Sequence, residues 1–182
     1  MKIFCIGLNK TGTISLHQAL TALGFSSLHW GGQASRTAVE RAIREGRPLL
    51  EYLGDYDAYS DIQRLSTSFD VLDAQYPGSR FILTTRDVDG WIDSRRRHVE
   101  RNRERKDRGE YEGTFLEIEP ERWREQYAEH HARVAAYFDG RDDMVVMRVT
   151  EGDGYDVLCP FLDVPVPATE FPWAHRDQSV TR

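Results

Sequence analysis

The sequence predicts an α/β domain built on a parallel sheet with crossover helices. Three observations carry that expectation. Apolar runs of strand length alternate with segments of helical period, the junctions fall at glycine, proline or capping residues, and neither repeat nor linker interrupts the alternation. The first strand is placed at Ile3–Gly7. A helix then runs from near Gly12 to Gly24, with Leu16, Ala19, Leu20 and Leu23 on one face and a glycine stop. A second strand, Ser27–Trp30, leads to a helix over Ser35–Glu45 that Gly46 and Pro48 close. The third strand is Ala58–Asp61, and Ser66 is read as the N-cap of a helix ending before Pro77-Gly78. Arg80–Thr85 forms the fourth strand, after which Asp87 caps a helix through Trp91 and beyond. Pro120 opens a fifth helix carrying Trp123, Tyr127, Val134 and Phe138. The fifth strand is Met144–Val149, and a short helix around Tyr155–Leu162 precedes a proline-rich tail.

With 182 residues, 40% apolar and 11% aromatic, the chain is expected to be one domain spanning 1–182. A chain of that length buries roughly two-thirds of its unfolded surface. A formal charge of −6 argues against duplex nucleic acid and anionic membranes as partners, because such binders rely on a positive field. The apolar stretch Ile3–Leu8 is too short for a signal-peptide core, and no run approaches the roughly 20 residues of a membrane helix. A cytoplasmic protein is therefore expected. Cys5 and Cys159 make neither a disulfide framework nor a zinc cluster and are read as buried thiols. Composition leaves the oligomeric state open.

The informative segment is Gly7-Leu8-Asn9-Lys10-Thr11-Gly12-Thr13-Ile14-Ser15, directly after a strand and before a helix. In that context glycines permit a tight turn, backbone N–H groups converge on an anion, and the helix dipole adds to them. A Walker A loop places Lys-Ser/Thr immediately after its second glycine, so that the hydroxyl holds magnesium. Here Thr13-Ile14 follows Gly12, and the lysine lies inside the loop at position 10. Such a lysine can touch the bridging oxygen of an anhydride while the magnesium position is lost. That suits a sulfuryl group, which carries less charge than a terminal phosphoryl and can be stabilised without a metal.

The segment GLNKTGTISLHQAL resembles the 5′-phosphosulfate loop of sulfotransferases that use 3′-phosphoadenosine 5′-phosphosulfate (PAPS). Arg80-Phe81-Ile82-Leu83-Thr84-Thr85-Arg86-Asp87-Val88, continuing through Trp91 to Ser94, resembles their 3′-phosphate element. The likeness is greatest to the compact bacterial branch of P-loop sulfotransferases. It extends over Asp55–Asp61, Gly152–Tyr155, Leu158–Leu162 and Phe171-Pro172, nearly the whole chain. It implies a three-layer fold with sheet order 2-3-1-4-5. It also implies PAPS as co-substrate, adenosine 3′,5′-bisphosphate as product, a small-molecule acceptor and no metal. On this resemblance Asn9, Lys10, Thr11, Gly12, Thr13, Ile14 and Ser15 hold the 5′ phosphosulfate, with Lys10 neutralising the leaving bridge. Arg86 and Ser94 hold the 3′-phosphate. Ile14 departs from the family, which often has a second threonine there.

An acceptor hydroxyl or amine must lose a proton as it attacks sulfur, so a general base is required. Asp61 at the end of the third strand is the first candidate, His29 the second, and Asp57 a weaker third. Each has a plainer reading, Asp61 as a turn cap and His29 as a packing residue, while Arg86 can instead pair with Asp87 or Glu51. His17 and Gln18 are assigned to helix surface or loop support, and His130 and His131 to packing. Residues 95–108 hold eight basic side chains against three acidic ones, either a solvated helix face or a basic wall. Lys106–Glu119 is the least structured stretch. The tail Phe171-Pro172-Trp173-Ala174-His175-Arg176 either covers adenine or closes the core. A P-loop small-molecule kinase and a non-catalytic nucleotide-binding module are the competing functions.

Overall fold

The computed structural model describes residues 1–174. Five strands, β1 (Ile3–Cys5), β2 (Ser27–His29), β3 (Ala58–Ser60), β4 (Arg80–Thr84) and β5 (Met144–Met147), pair in parallel in the order β2-β3-β1-β4-β5. This is the order that the family resemblance implied. Packing divides the chain into two compact units, residues 1–85 with those from 140 onward, and residues 86–139.

The first unit holds the sheet, and both faces of it are covered, as strands joined by crossover helices require. Alternation along the strands separates the faces. Ile3, Cys5, Ala58, Ile82 and Met147 pack with Leu16, Ala19 and Leu20 of α1 (Thr13–Ala22) and with Leu158, Cys159 and Leu162 of α7 (Tyr155–Leu162). On the other face, Phe4 meets the rings of Tyr59, Phe81 and Tyr76. Cys5 and Cys159 are both buried free thiols.

Each strand ends one or two residues before its expected end, and two helices depart further from expectation. Helix α2 runs over Gly32–Arg44, three residues ahead of Ser35, because left-handed Gly31 (φ 63°) supplies the turn that starts it. Ser35 lies buried under that turn, and a Cβ on Gly31 would come within 1.8 Å of its Oγ. The helix expected from Ser66 is broken into α3 (Gln63–Thr67) and α4 (Phe69–Gln75), joined at Ser68. Ser66 is therefore inside α3 and caps nothing; its buried hydroxyl bonds back to the carbonyls of Cys5 and Ile62.

The second unit is a hairpin of α5 (Val88–Asp107) and α6 (Pro120–Tyr137). Asp87 caps α5 through its carboxylate, which accepts from Gly90 N at 2.6 Å. The buried stripe of α5 is Trp91, Ile92, Arg95, Val99 and Asn102. Arg95 thus leaves the basic face: its guanidinium lies 4.8 Å from the ring centres of Trp91, Phe115 and Trp123, and burial pushes its pKa down to about 10. Arg96, Arg97 and Arg101 stay exposed, as a solvated face requires. The connection between the helices has no regular structure. Asn102 and Arg103 donate to the Phe115 and Leu116 carbonyls at 3.1 and 2.7 Å and hold it to α5.

Candidate active site

The loop between β1 and α1 is shaped by close approach to β4. A Cβ on Gly7 would lie 2.0 Å from Thr84 Oγ1 and 2.4 Å from its carbonyl oxygen, so only glycine fits. Thr11, fully buried, donates from Oγ1 to Leu8 O at 2.5 Å and lies 2.7 Å from Thr84 Oγ1. A hydroxyl has one proton, so Thr84 is the donor in the second bond. Thr11's hydroxyl is spent on closing the loop, and what it has left for a ligand is its N–H.

Gly12 (φ 97°) starts α1 with no side-chain cap and no acidic residue in the first turn. The N–H groups of Thr13, Ile14 and Ser15 therefore end α1 as donors outside its internal ladder, at the positive end of its dipole. Thr13 and Ser15 are buried, while Asn9, Lys10 and Ile14 are half-buried. Ser15 Oγ accepts from Ala174 N at 3.0 Å, which brings the tail to the start of α1. Phe171 is buried against Tyr155 and Trp173, so its ring closes the core. His175 and Arg176 lie outside the described residues.

Three non-glycine residues adopt positive φ at the carboxyl ends of adjacent strands: Lys10 (69°) after β1, Asp61 (58°) after β3 and Trp30 (58°) after β2. Each such conformation costs about 1 kcal/mol or more and persists where surrounding bonds impose it. At those ends the parallel register, His29 opposite Ser60, brings the two candidate bases together. His29 Nε2 is 3.7 Å from Asp61 Oδ2, and His29 Nδ1 is 3.0 Å from Ser60 Oγ. His17 stacks on His29, centroids 5.4 Å apart, with its own Nδ1 2.8 Å from Ser27 Oγ. Expected on the helix surface or as loop support, His17 instead forms the wall behind His29.

Electrostatics divides the pair. Burial pushes the Asp61 carboxyl up to about 6, with the Lys10 ammonium pulling the other way. Burial also pushes His29 down to about 4, helped by repulsion from His17 and Lys10. At neutral pH the site therefore holds a carboxylate of raised basicity beside a neutral imidazole. The 3.7 Å contact is not an ion pair. Asp57 belongs to the opposite end of β3: Ser26 donates to it from N at 2.8 Å and from Oγ at 2.6 Å, holding its carboxyl below the usual range. It is not a base for this site.

In the helical unit Arg86 immediately precedes the cap of α5, its carbonyl accepting from Tyr127 OH at 2.6 Å. Its Nε is buried and has no hydrogen-bond partner among the described residues. Asp87 bonds Gly90 N, and Glu51 pairs with Arg47. Ser94 lies two turns along α5, half-buried. His130 is buried, and His131 stacks on Tyr127 at 3.8 Å, both as packing residues. Among the described residues no three His, Cys, Asp or Glu side chains form a metal-holding group. Nor is any helix long and apolar enough to cross a membrane.

A five-stranded parallel sheet in the order β2-β3-β1-β4-β5, with helices around it, defines an α/β three-layer protein of P-loop-like fold. Residues 2–111 and 107–180 match the sulfotransferase domain family, and the chain belongs to it. It is also similar to the Ava biosynthesis cluster protein M of Aspergillus versicolor, with 27% identity over 213 aligned positions that cover 94% of this chain and 80% of that one. Sulfotransfer is the general activity of that family.

Proposed function

We propose that the chain moves a sulfuryl group from PAPS to a hydroxyl or amine of a small-molecule acceptor by in-line displacement. The observation that carries this reading is the convergence of Lys10, the N-terminus of α1, which has no side-chain cap, and the Asp61–His29 pair at the carboxyl ends of β1, β3 and β2, where open α/β sheets bind their ligands.

The roles follow from charge. The N–H groups of Thr11 to Ser15 offer donors to the 5′ phosphosulfate oxygens, and Lys10 offsets the charge that grows on the bridging oxygen as the S–O bond breaks. Asp61, with a pKa near 6, is ionised at neutral pH yet more basic than an ordinary carboxylate, which suits it to take the acceptor proton as the new O–S or N–S bond forms. His29, neutral, packs beside it and carries no competing charge. Adenosine 3′,5′-bisphosphate leaves. Arg86 and Ser94 are assigned to the 3′-phosphate, supported by the likeness of residues 80–94 to the family's element and by the buried, partnerless Arg86 Nε. With Lys10 and backbone dipoles carrying the charge, magnesium has no role in this scheme.

The test is incubation with sulfur-labelled PAPS, an acceptor panel and EDTA. Label should appear in an acceptor, and Asp61→Asn should remove it. Phosphoryl transfer from γ-labelled ATP with magnesium, with no sulfur label moving from PAPS, would overturn the proposal.

A further inference from the structure

Ser60 has no place in the scheme above, yet its buried hydroxyl lies 3.0 Å from His29 Nδ1. Pairing of β2 with β3 sets the two residues opposite each other, and Trp30 N, one residue on, donates to Ser60 O at 2.9 Å. The backbone thus holds both side chains at the strand ends. The imidazole is also fixed from the side. His17 of α1 stacks on it with ring centres 5.4 Å and planes 25° apart, and Ser27 Oγ, 2.8 Å from His17 Nδ1, fixes that ring in turn. What the packing leaves open is which nitrogen of His29 carries the proton.

A neutral imidazole has one N–H and one lone pair, and a hydroxyl can meet either. Ser60 alone therefore does not decide between them. Asp61 does, because its Oδ2 is 3.7 Å from His29 Nε2. A carboxylate there favours a proton on Nε2 over a lone pair, which makes Nδ1 the acceptor and the Ser60 hydroxyl its donor. From this geometry we infer that Ser60 and His29 are positioning residues for the transfer step. Ser60 donates to Nδ1, the Nε2–H faces Asp61 Oδ2, and the other carboxylate oxygen is left for the acceptor's proton. The inference rests on the sulfotransferase reading and deepens it.

At 3.7 Å the contact is longer than a hydrogen bond, as contacts between catalytic groups often are before substrate arrives and tightens them. A donor on one oxygen turns the carboxylate and favours its ionised form, so Asp61 is a ready base when the acceptor binds. Because the imidazole is neutral, it orients Asp61 without adding a charge that would quench its basicity. The charged and titratable neighbours act on both groups: Lys10 from the loop before α1 faces His29 and Asp61, His17 of α1 faces His29, and Cys5 of β1 feels the Asp61 charge.

The test joins nitrogen-15 spectroscopy of the histidine rings to transfer kinetics, on the full chain and on Ser60→Ala, His29→Gln and His29→Leu. At neutral pH, His29 of the wild type should show a protonated Nε2 and a bare Nδ1, and Ser60→Ala should show a mixture of the two forms. Ser60→Ala and His29→Leu should lower kcat about tenfold or more with KM little changed, and should move the acid limb of the kcat profile to higher pH, since the ionised carboxylate loses a donor. His29→Gln, whose amide N–H can reach the place of Nε2, should recover most of the rate. A wild-type proton on Nδ1, an acid limb that stays in place, or His29→Gln as slow as His29→Leu would overturn the inference. A fixed Nε2–H form that Ser60→Ala loses, in a chain that transfers nothing from PAPS, would sustain the positioning and sink the sulfotransferase reading instead.

Discussion

Replacing Asp61 by asparagine should abolish transfer and at the same time stabilise the protein, and the stabilisation should depend on pH. The folded-state pKa is raised to about 6 by burial, against an ordinary value of 3.8. A difference of roughly two units corresponds to about 3 kcal/mol, which the charged carboxylate costs the folded state wherever it is ionised in both states. Its side chain is 22% exposed, so solvent screening removes only part of this. Desolvating the asparagine amide returns about 1 kcal/mol of the gain, leaving a net of about 2.

The sign is fixed by proton counting. Between about pH 4 and pH 6 the folded chain holds the proton more tightly than the unfolded one, so wild-type stability from this group declines as pH rises and levels off above 6. The asparagine variant has no such decline. Asp61→Asn should therefore be about 1 kcal/mol less stable than wild type near pH 4, from the amide cost alone, and about 2 kcal/mol more stable above about pH 7, the latter roughly 4–8 °C in Tm. His29 works in the opposite direction. Its folded pKa of about 4 lies below the ordinary value of 6.5, so its contribution is present above 6.5 and is lost as pH falls towards 4. Urea unfolding of both proteins from pH 4 to pH 8 isolates Asp61 in the difference curve. A difference that is flat with pH, or a variant less stable at pH 8 than at pH 4 relative to wild type, would refute the assignment of Asp61 as a desolvated base.

Four further outcomes follow from the loop and the helical unit. Lys10→Ala should lower kcat by about 100-fold or more while weakening adenosine 3′,5′-bisphosphate much less, since Lys10 acts on charge that develops at the bridge. Lys10→Gly should lose the same activity yet be about 1 kcal/mol more stable than Lys10→Ala by thermal unfolding, because position 10 has φ 69°. Gly7→Ala should cost about 3 kcal/mol and bisphosphate binding together, as its methyl would collide with Thr84; a stable variant that binds normally would contradict the packing. Arg86→Ala should weaken adenosine 3′,5′-bisphosphate by about 30- to 1000-fold in calorimetry and leave adenosine 5′-phosphosulfate nearly unchanged.

The fold was legible where local chemistry punctuates the chain. Pro120 and Asp87 start α6 and α5 where expected, and Tyr155–Leu162 is helical over the whole expected span. Legibility failed where a distant contact overrides a local signal. Ser66 has the chemistry of a cap, but the break at Ser68 puts it inside α3 with its hydroxyl turned to Cys5. The loop between β1 and α1 was visible as a run of adjacent residues. The partnership of His29 with Asp61 was not, because it arises from the register of β2 on β3, strands far apart in the chain. Likewise, nothing in a linear reading ties Thr11 to Thr84. Arg95 had a usable signal, since it stands four residues from both Trp91 and Val99 on the buried stripe of α5, yet its charge masked that position.

The central claim is that the anion loop serves PAPS. Calorimetric titration of the full chain in EDTA with adenosine 3′,5′-bisphosphate, followed by ATP with magnesium in chelator-free buffer, tests it most directly. The account predicts one bisphosphate site per chain, weakened by Arg86→Ala, and no comparable heat from ATP with magnesium. Magnesium-dependent ATP binding with no response to the bisphosphate would contradict it.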